Sequence, residues 1–432
     1  MAASQPFRIR DFRYLNGTAF KTAFTNAATA AWNVGNSIKL RVQTIDLSGL
    51  EYPSEPDETM SAILHEGFAP IPTLRTGNVQ FAMFLEGAGT AITNAANPLA
   101  TLLSLIQGGI QHPATVRSEA FSDLGATDAG TLDMTGIGTE TEAGSAILSG
   151  VKGDGTGGGE VRSILTEVSA NQVELNMELP GVLTTETIVY STTVYMFNTT
   201  QQYIEFLSIG KGAEDQHQTI NSMGSFGFSG LGPGEKPLVE FDLQSADHKS
   251  PVAADRGTID TTNAPSGNQP AVDKGIGGFY MSDTPTSSAA TRARFPVADI
   301  TIDPNVRFVQ EEGLNGVNGI ENWVRVPGLP TAEFTIPLKA DAAILPGLFD
   351  DFNNETVAAG AQSKNVMFQF GHTIGRCVAI EFPRAYLTAQ PVHNELNEKV
   401  AVRVTVVGTA GLHAEGTAAT ALANSPMRIH FF

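Results

Sequence analysis

Alternation of apolar and polar residues is strongest between residues 171 and 245. Val173, Leu175, Met177 and Leu179 alternate with Gln172, Glu174, Asn176 and Glu178. A period of two gives a strand with one apolar and one acidic face. Further short runs at 187–197, 203–209, 223–229 and 238–243 are rich in Val, Ile, Phe, Tyr and Thr and are bounded by Gly, Pro or Asn. They predict four more strands. Gly230-Leu231-Gly232-Pro233-Gly234 predicts the turn between the last two.

The same pattern recurs on both sides. Ile38, Leu40 and Val42 alternate with Lys39, Arg41 and Gln43, and Val79, Phe81, Met83 and Leu85 give another strand. At 97–107 the period changes. Asn97 is placed to cap, Pro98 suits the first helical position, and Gly108-Gly109 ends the segment. Leu99, Leu102, Leu103 and Ile106 share one face of this helix. Strands are expected again at 299–308, 332–338, 365–370, 377–382 and 399–407, with a last one at 427–432 and a second helix at 341–352. Each half thus has an alternating strand, a short helix and several strands, an ordering that suggests a duplicated domain.

Between these patterns lie segments without clear periodicity. Residues 1–36 read as an N-terminal arm. A first domain spans 37–245 and contains a Gly-, Thr- and Ser-rich insert at 114–170, read as surface loop. Residues 246–295 read as a linker or outer loop, and 296–432 as a second domain. Two or more domains agree with a length of 432 residues.

Composition narrows the function. Charged residues make up 16% of the chain, against about a quarter in ordinary soluble domains. Weakly charged surfaces suit a protein packed against copies of itself. The net charge of −19 argues against a protein that holds nucleic acid, because phosphate affinity comes from Lys and Arg. The only cysteine, Cys377, excludes an internal disulfide framework. Residues 1–13 lack the apolar core of a signal peptide, and no apolar run reaches the roughly 20 residues of a membrane span. A chain made in a cytoplasm, with no membrane partner, is expected.

Motifs for chemistry are sparse. The Gly153–Gly159 run is not followed by Gly-Lys-Ser/Thr, so it is not a phosphate-binding loop. The eight histidines show no HExxH or other close ligand spacing. His217, near Asp215, reads as a satisfied or solvated loop residue. Gly224-Ser225-Phe226-Gly227 lacks the glycine spacing of a nucleophile elbow, so Ser222 and Ser225 are assigned to a strand. Cys377 opens an apolar strand and reads as a core thiol. Glu174 and Glu178 would lie about 13 Å apart on one strand face, beyond the roughly 6.5–9.5 Å of an inverting glycosidase pair. No catalytic, cofactor-binding or metal-ligating residue is assigned, and no enzyme activity is expected.

Two long stretches carry a resemblance. His217-Gln218-Thr219-Ile220-Asn221-Ser222-Met223-Gly224-Ser225-Phe226-Gly227-Phe228-Ser229, followed by Pro233-Gly234-Glu235-Lys236-Pro237 and Leu238-Val239-Glu240-Phe241-Asp242-Leu243, resembles the major tail tube proteins of long-tailed bacteriophages. Arg75–Phe81 with the Gly87-Ala88-Gly89-Thr90 loop is also similar, as is the block from Pro330 to Val407 that includes Val378–Ala385. The likeness covers about two thirds of the chain and excludes the Gly-rich insert and the 246–295 segment.

The resemblance implies a mainly β protein with two tandem tube-type β-sandwich or barrel domains, each with a flanking helix. Their inner sheets would close into one barrel around a channel, which removes exposed sheet edges. Three chains would make a ring with pseudo-six-fold symmetry; if the chain held only one domain, six would. Rings would stack head to tail into a virion tail. The partners implied are copies of the chain itself, tail terminator, baseplate and tape-measure proteins, and viral DNA in transit. Acidic residues facing the channel would repel phosphate. Glu174, Glu178, Glu240 and Asp242 are the candidates for that face. A β-rich surface or secreted binding module, adhesin-like, is the alternative, and would need exposed aromatics; Trp32 and Trp323 are the two tryptophans.

Overall fold

A computed structural model gives the fold over residues 11–33, 36–50, 54–55, 71–72, 77–88, 97–113, 118–120, 131–133, 137, 142–149, 159–176, 187–196, 202–210, 215–259, 276–283, 293–294, 297–326, 328–337, 363–389, 392–396, 399–410 and 418–432. These residues are mainly β, as the alternation predicts.

An eight-stranded sheet runs in the order β2 (Ile38–Lys39), β1 (Asp11–Gly17), β15 (Tyr203–Ile209), β16 (Gln216–Ser229), β17 (Leu238–Ser245), β6 (Gly77–Phe84) and β3 (Val42–Asp46). The short β18 (Asp247–Lys249) also pairs with β16. A six-stranded sheet runs β8 (Ser118–Ala120), β13 (Thr187–Tyr190), β10 (Ala146–Ser149), β11 (Val161–Ser169), β12 (Gln172–Leu175) and β9 (Thr131–Asp133).

The largest sheet has eleven strands. Its main path is β20 (Ala293–Arg294), β19 (Ile276–Asp283), β25 (Lys364–Phe370), β26 (Val378–Leu387), β28 (Lys399–Gly408), β24 (Thr331–Pro337) and β21 (Ala298–Asp303). A branch leaves β26 through β29 (Arg428–Phe431) to β14 (Thr192–Met196) and β7 (Gly108–Gln111), and β27 (Val392–Leu396) pairs with β28. β7 and β14 therefore pair within a sheet built mostly from residues 276–431. Two hairpins complete the set: β22 (Arg307–Val317) with β23 (Ile320–Val326), and β4 (Ser54–Glu55) with β5 (Ile71–Pro72).

One apolar core joins the eight- and eleven-stranded sheets, including Phe81, Phe206, Phe241, Phe334, Phe368 and Phe382. Within it Phe81 and Phe241 stack at 4.7 Å, and Phe12 stacks on Phe206 at 5.2 Å. Helix α1 (Pro98–Gln107) is buried in this core. Asn97 caps it as its sequence predicts: Oδ1 accepts from Leu99 N at 2.8 Å and from Ala100 N at 3.3 Å. Gly108, at φ 104°, takes the left-handed conformation that ends the helix. The helix is wetter on paper than in the fold, since Ala100, Ser104, Leu105 and Gln107 are buried along with the apolar stripe. A shorter helix, α2 (Ala418–Asn424), precedes β29.

Several sequence expectations change in the fold. The N-terminal arm contains β1, an internal strand of the eight-stranded sheet between β2 and β15, held by Arg13, which bonds Asp11, Trp32 O and Thr258 O. The 114–170 insert, read as loop, supplies β8, β9, β10 and β11. Three of these have only three or four residues, too few for a period to show. The 246–295 segment supplies β18, β19 and β20; Gly277-Gly278 masks the strand character of β19. Residues 187–197 divide into β13 and β14, which enter different sheets on either side of Ser191. The 38–42 alternation also divides, into β2 and β3, and 299–308 into β21 and the start of β22. The 173–179 strand ends at Leu175, and residues 177–179 lie outside the described residues, as do the helix expected at 341–352 and most of the Gly153–Gly159 run.

The 223–229 strand is the second half of the 14-residue β16. Its first half pairs with β15 and its second with β17. The change of direction sits at Asn221, whose φ of 51° is tolerated by Asn better than by branched residues. Asn221 also ties two distant segments to the bend. Its side chain exchanges hydrogen bonds with Lys21 N (2.9 Å) and Lys21 O (2.7 Å), and its carbonyl accepts from Trp323 Nε1 at 2.7 Å.

Replacing Asn97 by Ala removes the helix cap and the amide donors to Glu86 O and Gly87 O. The expected cost is about 1–2 kcal/mol, read as a lowered urea midpoint with unchanged slope. An unchanged midpoint would mean that the cap contributes nothing.

Candidate functional site

β17 displays the alternation that its sequence predicts. Val239, Phe241 and Leu243 are buried, while Glu240, Asp242 and Gln244 are exposed. The neighbouring strands place polar residues in register with them. Asp46, Gln80, Asp242 and Ser225 form one row across β3, β6, β17 and β16, and Thr44, Ala82, Glu240 and Gly227 form the next. Gln80 Nε2 donates to Asp242 Oδ1 at 3.2 Å, and Ser229 Oγ to Glu240 Oε1 at 2.5 Å. The Ser48 backbone N–H holds the exposed Asp46 carboxyl below its ordinary range.

These rows floor a cleft of about 660 Å³, walled by Asp303, Asn305, Val306 and Arg307. A second cleft of about 590 Å³ continues from it over Asn78, Gln244, Phe308 and Trp323. The lining carries four carboxylates, Asp46, Glu240, Asp242 and Asp303, against the single cation Arg307. Such a face repels polyanions. Gly224 lets β17 approach closely: a Cβ there would lie 2.1 Å from Asp242 O.

The four acids named from sequence are not all brought together. Glu240 and Asp242 share this floor, and Asp46 and Asp303 join them from strands that alternation alone does not connect. Glu174 is half-buried in β12 of the six-stranded sheet, opposite Thr131 and Thr166. Glu178 lies outside the described residues. His217 is on β16 rather than in a loop, with Nε2 3.5 Å from Asp215 Oδ1. Ser222 and Ser225 lie in the strand, and Cys377 is buried. Among the described residues no three His, Cys, Asp or Glu side chains are grouped to hold a metal. No helix of the described residues is long and apolar enough to cross a membrane.

A fully buried ionisable cluster lies elsewhere, and sequence reasoning missed it. Glu381 of β26 is wholly buried and accepts five hydrogen bonds. Ser163 Oγ (2.5 Å), Asn176 Nδ2 (2.7 Å) and Asn365 Nδ2 (2.7 Å) reach Oε1; Arg428 Nη1 (3.0 Å) and His430 Nε2 (3.1 Å) reach Oε2. Burial opposes the charged carboxylate, but the Arg428 charge and the His430 contact outweigh it and hold the carboxyl well below its usual range. For His430 burial prevails over the pull of Glu381, and the imidazole sits below its ordinary value.

His430 Nδ1 lies 3.0 Å from Thr193 Oγ1, which is 2.8 Å from Ser191 Oγ. A hydroxyl, an imidazole and a carboxylate in this order match the connectivity of a nucleophilic triad. Thr193, His430 and Glu381 are all 0% exposed, however, and Arg428 shares the carboxylate. The arrangement ties strands together and offers no path to substrate. Its hydrogen-bonded partners lie up to 237 residues apart, so no local motif announces it; the alternating polar residues Arg428 and His430 in an otherwise apolar end segment are the only sequence signal.

No family model matches the chain, and no curated protein matches its sequence.

Arg428→Met would leave Glu381 buried without its main counter-charge. A loss of about 3–5 kcal/mol is expected from chemical denaturation. Glu86, beside α1, behaves oppositely to Glu381. Burial pushes its carboxyl up to about 7, against the pull of Arg41 at 3.7 Å. A raised carboxyl takes up a proton on folding, so its penalty is absent near pH 4.5 and complete above about pH 7. Glu86→Gln should therefore stabilise the fold by roughly 2 kcal/mol at pH 8 and by little at pH 5. Equal thermal midpoint shifts at both pH values would exclude this assignment.

Proposed function

We propose that the chain is a structural subunit of a phage-type tail tube, assembling into rings that stack around a DNA channel. The observation that carries this reading is the acidic floor of β3, β6, β17 and β16. The stretch 217–243, which resembles tail tube proteins, folds into β16 and β17, and Glu240 and Asp242 on its exposed side are joined by Asp46. A channel for DNA must not hold DNA, and a carboxylate face with few cations meets that need. Glu240, Asp242 and Asp46 are the lumen-facing residues in this reading. Glu174 sits in a different sheet and takes a lesser place.

Self-association has support in the β22–β23 hairpin. Val309 and Val324 are cross-strand partners on its outer face, and both are exposed, as are Val326 at the open end of the hairpin and Leu314 near its tip. The inner face is fixed by Trp323 and by Arg325, which bonds Gln107 O. Exposed valines on the outer face of the hairpin, beside Arg307 and Glu311, suit contact with another copy. Trp32 and Trp323 are both buried, which leaves an adhesin-like module without exposed indole faces. The reading needs no catalysis and no cofactor. Its partners are further copies of the chain, the proteins that end and measure a tail, and DNA in passage, within a virion built in the bacterial cytoplasm.

Negative-stain electron microscopy of the purified chain, with native mass spectrometry of any ring, tests the proposal. Hollow tubes or stacked rings are expected, with three chains per ring for a duplicated domain and six otherwise. A discrete non-annular oligomer would overturn it. In assembled particles, Glu240→Lys with Asp242→Lys should leave tubes intact and slow DNA release by on the order of tenfold. Unchanged release from intact tails would remove the lumen role of these acids.

A further inference from the structure

We infer that the Glu381 cluster is an acid-sensitive clasp that holds the six-stranded sheet against the eleven-stranded sheet and loosens that junction without unfolding the rest of the chain. The two sheets meet through a small apolar cluster in which Ala146, Leu148, Val161 and Val189 pack on Tyr280, Met367, Cys377, Ala379 and Phe432. Among the described residues the charged groups of the junction are Glu381 with its partners and the buried Glu160–Arg162 pair at the start of β11, whose guanidinium lies 4.4 Å over the Tyr280 ring of β19; Glu381 is the one that contacts a histidine. Ser163 on β11 and Asn176 after β12 reach it from the six-stranded sheet; Asn365 on β25, and Arg428 and His430 on β29, reach it from the other. Arg384, further along β26, acts on Arg428 through space. On β14, the element on the far side of His430, the facing groups are the hydroxyls of Thr193 and, just before it, Ser191.

The hydrogen-bond directions show how a proton would act. Ala146 N donates to Ser191 Oγ at 2.9 Å. With His430 neutral and protonated at Nε2, the Ser191 hydroxyl donates to Thr193 and the Thr193 hydroxyl donates to His430 Nδ1. Every group in the chain is then satisfied. A second proton on His430 places an N–H on Nδ1. Thr193 must then accept it and turn its own hydrogen toward Ser191, whose oxygen already takes the Ala146 N–H. The Ser191 hydrogen then loses its acceptor in a site closed to water, at the residue that Ala146 of β10 holds by its backbone N–H.

Glu381 has an alternative of its own. Asn365 Oδ1 is buried and unpartnered beside it. Rotation of that amide would offer an acceptor to a protonated carboxyl, so the cluster has a second hydrogen-bonded arrangement. Because burial disfavours the imidazolium in the closed junction, the open junction binds the proton better. Opening is therefore expected as pH falls below the ordinary histidine value of about 6.5, while Glu381 is still ionised.

Hydrogen exchange of the full chain, read by mass spectrometry as protection factors, tests the clasp. Between pH 7.5 and pH 5.0, protection over residues 161–176 should fall at least about tenfold relative to residues 203–209 and 238–245. His430→Gln keeps a donor toward Glu381 but does not titrate, and should abolish that selective loss. Thr193→Val denies the imidazolium its acceptor in the closed junction and should deepen the selective loss at pH 5.0; it also serves if the His430 variant does not fold. Unchanged protection at pH 5.0, parallel loss in all three segments, or a pH response identical in both variants and the parent would overturn the proposal.

Discussion

A single buried carboxylate sets much of what this fold can be. Glu381 is removed from water in an apolar sheet, where an ionised group survives only with near-complete hydrogen bonding and a counter-charge. It has both, from five donors on separate parts of the chain. Such a cluster adds little net stability compared with apolar packing. Its effect is on register. Glu381 is the direct cross-strand partner of Arg428, and Thr193 of His430. A slip of one residue in β29 would turn both basic side chains to the other face of the strand. The order β14–β29–β26 is thereby tied to the position of the six-stranded sheet.

Charge elsewhere follows the same division. Inside, ionisable groups are paired: Asp11 with Arg13, Glu160 with Arg162, Lys21 with Glu205. On the outer face of β3, β6 and β17 the acids stand with neutral partners such as Gln80 and Ser229. On that face four carboxylates stand against Arg307, so acids outnumber bases where the cleft meets solvent. Buried ion pairs fix the architecture, and exposed carboxylates shape the field outside it.

Rigid attachment links the two. The bend of β16 at Asn221 receives the Trp323 indole N–H, so the hairpin that bears the exposed valines is fixed to the strand that borders the acidic floor. The wall of the cleft, 303–308, leads directly into that hairpin. The exposed hairpin valines and the acidic cleft are therefore held at a set spacing by one backbone carbonyl and the packing around it.

The sequence by itself determined the mainly β class, the Asn97-capped helix, the strands Tyr203–Ile209 and Lys364–Phe370 and the inward and outward faces of Leu238–Ser245. Each of these depends on residues within one turn or one strand. It also contained an unused signal: Asn318-Gly319, with φ of 50° and 80°, is the turn that closes the β22–β23 hairpin. Tertiary structure alone decided the rest. Period-two alternation says that a face is buried but not against which strand. Hence the split at Ser191, the bend at Asn221 and the four strands that the Gly-rich insert adds to the six-stranded sheet left no mark in the pattern. Asp46 and Asp303 entered the acidic cleft, and Ser163 met Glu381, only because strands distant in sequence were brought into register. The hydrogen bonds and packing that did so act between residues whose separation carries no local code.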